Sequence, residues 1–116
     1  MSGLPELMRE LDRLGARIEA GVLKAVEESA QAVRTDARGA VRVDTGRLQR
    51  GLTVRVDRAR LLAEVGWFDP KLYYAAFQEH GTSSIPANPA LTSAAESERP
   101  RFPRRLAAEI EREIGR

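Results

Sequence analysis

Leu52-Thr53-Val54-Arg55-Val56-Asp57, Arg58-Ala59-Arg60, Leu61-Leu62-Ala63-Glu64-Val65-Gly66-Trp67 is the stretch that decides the fold. Its first six residues alternate apolar and polar, which places the apolar side chains on one face of an extended chain. Arg58–Arg60 is a short link, and Leu61–Trp67 reads as the returning strand. The pair predicts an antiparallel hairpin. Most of the remaining chain is patterned for helix, so a hairpin here makes the protein α+β: a long N-terminal helix, a small antiparallel β-sheet and C-terminal helices. Arg42 and Val43 are candidates for a further short strand.

Upstream, Leu4, Leu7, Leu11, Leu14, Ile18, Val22, Val26 and Val33 recur at steps of three and four, apart from one double step. That spacing marks one face of a helix. Gly15 and Gly21 each weaken it by roughly 1 kcal/mol relative to alanine, yet the period runs through both. The helix fades at Ala37-Arg38-Gly39. The simplest expectation is that this stripe packs on the protein's own sheet, so that Leu11→Asp would bury a charge and unfold it. A helix this long in so small a domain can also overhang its core and meet a neighbouring subunit.

Val43-Asp44-Thr45-Gly46-Arg47-Leu48 joins helix to hairpin with turn chemistry: Asp and Thr side chains accept backbone N–H bonds, and Gly takes unusual dihedrals. After the hairpin, Asp69-Pro70 starts a turn. Leu72–His80 suits either a short helix or a strand. Gly81 to Asn88 reads as a loop stiffened by Pro86 and Pro89. Pro89 fits the first turn of the next helix with Asn88 as its N-cap. That helix stops before Pro100, and a last one starts at Pro103, with Leu106, Ile110 and Ile114 four apart. The chain of 116 residues thus divides as one domain: long helix 1–39, sheet with turn motif 40–80, docking loop 81–89, C-terminal helices 90–116.

Composition narrows the function. Hydrophobic residues make up 42% and charged residues 31%, a globular and highly charged balance. No apolar run is long enough to span a bilayer, so no membrane partner is expected. The start, Met1-Ser2-Gly3-Leu4-Pro5-Glu6, does not read as a secretory signal. There is no cysteine, so disulfides, thiol nucleophiles and thiolate metal sites are excluded. Seventeen acidic residues nearly balance 19 basic ones, a net +2, and all the basic residues but Lys24 and Lys71 are arginine. A freestanding DNA binder shows a stronger basic excess.

Catalytic signals are weak. His80 is the only histidine, and it has beside it only Glu79. Asp44-Thr45-Gly46 matches the aspartic-protease tripeptide, but it follows a long helix and not a strand of a β-barrel. No phosphate-binding glycine loop is present. The chain therefore reads as no enzyme, with no cofactor and no metal. Arg55, Arg58 and Arg60 cluster on the hairpin as possible contacts to DNA phosphates, which would be blind to sequence.

The order of the motifs carries a resemblance. Val43-Asp44-Thr45-Gly46-Arg47-Leu48, a hairpin, Tyr74-Ala75-x-Phe77-x-Glu79-x-Gly81-Thr82, then Pro86-Ala87-x-Pro89-x-Leu91 and Ala94-Ala95 resembles the HK-ninety-seven gene-product-ten-like family of long-tailed phages. These are neck or tail-completion proteins, also met in prophages and gene transfer agents. The resemblance implies a structural virion protein, made in the bacterial cytoplasm, that forms a sixfold homo-oligomeric ring at the head–tail junction. Its partners would be the adjacent head-completion and tail-tube or tail-terminator proteins. Genome duplex DNA would pass through the lumen without sequence-specific binding. Subunit or partner contacts would fall on Asp44, Thr45, Gly46, Arg47, Tyr74, Glu79, Gly81, Thr82, Ser83, Ser84, Ile85, Pro86 and Pro89. The alternative reading is a small DNA-binding protein.

Overall fold

A computed structural model describes residues 3–41, 46–72, 75, 79, 81 and 89–115. Helix α1 spans Gly3–Ala40, and a short α2 spans Arg47–Gly51. Strands β1 (Leu52–Asp57) and β2 (Leu62–Trp67) follow, then a 3-10 turn at Pro70–Leu72. Helices α3 (Ala90–Glu98) and α4 (Phe102–Ile114) complete the fold. The expected α+β architecture is what forms. The molecule is elongated, 73 × 26 × 21 Å, because 38 residues of α1 extend about 57 Å at 1.5 Å per residue.

The two strands pair antiparallel with Leu52 opposite Trp67 and Asp57 opposite Leu62. They form a two-stranded sheet among the described residues. The returning strand starts one residue later than the sequence suggests. Leu61 lies in the connecting turn with φ 52°, a left-handed conformation that costs a non-glycine residue about 1 kcal/mol or more. The Asp57 carboxylate accepts the Arg60 N–H at 3.2 Å and helps hold that turn. Arg42 and Val43, candidates for a further strand, lie outside the described residues.

Two apolar clusters form the core. One joins Val41, Leu48, Leu72, Ala75 and Ala90. The other joins Val33 and Ala37 of α1 to Leu52 of β1 and Ala94 of α3. Trp67 packs against both, and its indole N–H donates to the Leu48 carbonyl at 2.8 Å. Arg34 reaches across from α1 to donate to the Leu52 carbonyl at 2.8 Å, which pins the hairpin to the long helix.

The second half of α1 is also covered by α4. Gly21 makes this possible: a Cβ there would stand 3.0 Å from the Ile110 Cα and 3.1 Å from the Glu109 carbonyl oxygen. Polar groups seal the seam. Glu98, only 4% exposed, accepts from Ser29 Oγ at 2.5 Å and from Arg105 at 2.6 and 3.2 Å. Glu109, 1% exposed, pairs with Arg112 one turn on. A buried carboxylate without such donors would cost several kcal/mol.

The stripe on α1 does not behave as one core face. Val33 is buried, and Val22 and Val26 are partly buried. Leu4, Leu7, Leu11, Leu14 and Ile18 are all exposed, and so is every residue from 3 to 20. The expectation that Leu11 belongs to the core is therefore overturned. The reason is geometric: the described elements after residue 41 fold against the second half of α1 and leave the first half uncovered. The overhang is the arrangement that forms.

Candidate docking site

The site expected from sequence is the segment 81–89 and the turn before α2. Glu79 supplies its key geometry. Its carboxylate accepts the backbone N–H of Leu91 at 2.7 Å and of Thr92 at 3.2 Å, and the Thr92 hydroxyl at 3.0 Å. Two of the unpaired amides at the start of α3 are thereby satisfied by one side chain from across the loop. The carboxylate also meets the positive end of the helix dipole. Glu79 thus brings residue 79 to residues 91 and 92.

That arrangement corrects the expected cap. The helix begins at Ala90, and Pro89 occupies the N-cap position without a side-chain cap bond. Asn88 lies outside the described residues, and Glu79 carries the capping role. Sequence spacing hides this because the cap comes from 12 residues upstream and not from the adjacent position.

Two turns at this end need glycine. Gly46 has φ 77° and Gly81 has φ 76°, left-handed backbone that residues with a Cβ adopt at a cost. Gly46 is the N-cap of α2 and accepts the Arg50 N–H at 3.0 Å. Arg47 is exposed at the first position of α2 and Pro89 is exposed at the head of α3. Ala75 and Glu79 have helical backbone, which favours the helical alternative for that stretch at those two positions. Asp44, Thr45, Tyr74, Thr82, Ser83, Ser84, Ile85 and Pro86 lie outside the described residues, as does His80.

One apolar cluster underlies both motifs. Leu48 follows Arg47, Ala75 follows Tyr74 and Ala90 follows Pro89, and all three are buried together with Val41 and Leu72. Described residues next to each motif, far apart in sequence, therefore share one cluster.

The hairpin arginines form a separate surface. Arg55, Arg58 and Arg60 are all exposed. The Arg55 guanidinium lies 3.9 Å from the centroid of the Phe68 ring, a cation–π contact. Arg58 also edges a groove of about 720 Å³ between α1, the hairpin and α4, lined further by Lys24, Glu28, Arg105, Glu109 and Arg112. Desolvation, then a hydrogen bond with Glu109 and the Glu109 charge, push the Glu28 carboxyl above the ordinary value, against a smaller pull from Arg112 and Arg105. Burial would raise Glu98 too, but its hydrogen bonds from Arg105 and Ser29 outweigh that and hold its carboxyl low. Sequence reading missed this groove, whose only signal was Glu109 set between Leu106 and Ile110. Its mixed charges suit a protein surface better than a phosphate.

Among the described residues no group of three or more His, Cys, Asp or Glu is placed to hold a metal ion. No helix among them is long and apolar enough to cross a membrane. A family model described as "Bacteriophage HK97-gp10, putative tail-component" matches residues 5–81. No curated protein and no solved structure matches the chain.

Proposed function

The chain belongs to the HK97-gp10-like family of phage tail components, and from that premise we propose that it forms a ring at the head–tail junction of a tailed phage or phage-like particle. The ring joins or completes the tail around the DNA channel. It is a structural part of the virion, and its partners are copies of itself and the neighbouring head-completion and tail proteins.

The observation that carries this reading is the Glu79 clamp. A loop whose ends are fixed on a packed base loses less conformational entropy when it docks. Segment 81–89 is flanked by that clamp, and its prolines lower the cost further. Subunit or partner contacts are assigned to this loop and to the Gly46–Arg47 turn that shares its cluster. The exposed arginines of the hairpin turn supply charge that can face passing DNA, while the near balance of charge over the chain favours sliding over tight binding.

Electron microscopy of particles from a producer strain lacking the gene tests the reading. Full heads without tails, or heads beside separate tails, are expected. Restoring the gene with Glu79→Ala is expected to rejoin fewer particles than the unaltered gene. Intact, infectious, tailed particles from the deletion strain would contradict the neck assignment.

A further inference from the structure

The overhanging half of α1 presents an uncovered apolar seam. Leu4, Leu7, Leu11, Leu14 and Ile18 step by three and four without interruption, a heptad seam with a and d positions filled. All five are exposed. The shallow groove along this seam is walled by Glu10, Arg13 and Arg17.

The two flanks of the seam differ. One carries Glu10 and Arg17, one heptad apart and opposite in sign. The other carries Met8, 54% exposed, and Gly15, where a Cβ would meet nothing within 4 Å. In an antiparallel pair each flank faces its own counterpart, whereas in a parallel pair it faces the opposite one. Antiparallel pairing therefore sets the charged flank against itself.

We propose that two copies of this chain pair through residues 7–18 as an antiparallel coiled coil, with Leu11 of each opposite Leu14 of the other. In that register Leu7 meets Ile18, Glu10 stands beside Arg17 of the second copy, and Met8 fills the space over its Gly15. The ion pair and the Met–Gly contact each occur twice by symmetry. Sliding the helices by one heptad would put Glu10 against Glu10, and a parallel pair would set Glu10 beside Gly15 and Arg17 beside Val22. Charge thus selects both direction and register. The overlap extends about 18 Å along α1 and stops short of Gly21, where the protein's own α4 takes over the helix face.

Such a contact is isologous and closes at two. It is a form of the free chain and not a contact within one ring, whose copies all point the same way: the pair uses α1, while the ring assignment rests on the loop and turn at the other motifs.

Analytical ultracentrifugation of the full chain across the micromolar range tests the pairing. A monomer–dimer equilibrium is expected. Glu10→Arg alone and Arg17→Glu alone should each weaken it on the order of tenfold. The double variant Glu10→Arg with Arg17→Glu should restore it, and an equimolar mixture of the two single variants should form heterodimers in preference to either homodimer. Circular dichroism of each variant confirms that the fold is kept. A chain that stays monomeric throughout, one that assembles directly into larger rings, or a dimer indifferent to both charge reversals would overturn the proposal.

Discussion

Residues 21–40 and residues 3–20 of α1 share one helix and one apolar period, yet only the first set is covered. Ala25, Ala30, Val33 and Ala37 are buried against the hairpin and the C-terminal helices. Leu4, Leu7, Leu11, Leu14 and Ile18 face outward. The buried half uses mostly small residues and a glycine, which let neighbouring elements approach closely. The exposed half uses leucine at heptad spacing, the side chain suited to a coiled-coil seam. A stripe records which face of a helix is apolar. Whether that face is core depends on how far the rest of the chain reaches, and α4, 13 residues long, covers about 20 Å of it.

Matched substitutions in the two halves break or sharpen this contrast. The largest difference is expected between core and seam: Leu52→Ala, at a fully buried position packed on α1, should cost about 3 kcal/mol in denaturant unfolding. Leu11→Ala, read at a dilution where the chain is monomeric, should change stability by less than about 0.5 kcal/mol. Equal losses would erase the distinction. Next come the glycines. Gly21→Ala forces its Cβ onto the α4 backbone and should cost about 2 kcal/mol. Gly15→Ala meets open space and should stabilise the helix by up to about 1 kcal/mol. Thermal melts of the two variants should therefore shift in opposite directions.

The covered half should also carry the pH dependence. Glu98 has a depressed folded pKa, so its contribution is complete above the unfolded value near 4.5 and is lost as pH falls through the folded value. Glu28 has a raised folded pKa, so its contribution is present below about 4.5 and is lost as pH rises through the folded value. Glu98→Gln should flatten the acid limb of a plot of Tm against pH, and Glu28→Gln should flatten the limb above 4.5. A modest effect is expected at Glu79, where Glu79→Ala should cost about 1 kcal/mol and speed amide exchange at Leu91 and Thr92.

Local chemistry was legible in the sequence. The period-two run at 52–57, the helical period of α1, the Asp69-Pro70 turn and the glycine at 46 all form as their residues dictate. What was not legible depends on pairs distant in sequence. Glu79 reaches Leu91, Arg34 reaches Leu52 and Ser29 reaches Glu98, and no spacing rule connects them. The reach of α4 along α1 was hidden for the same reason, so Leu11 could be read as core. Leu61 was placed in a strand because its side chain is apolar, while the turn between two short strands required it to take a left-handed conformation.

Hydrogen exchange along α1, followed at several protein concentrations, tests the two-part helix most directly. Amides of residues 21–40 should be protected to the same degree at every concentration, and those of residues 3–20 should gain protection as concentration rises. Uniform, concentration-independent protection from end to end would contradict the account.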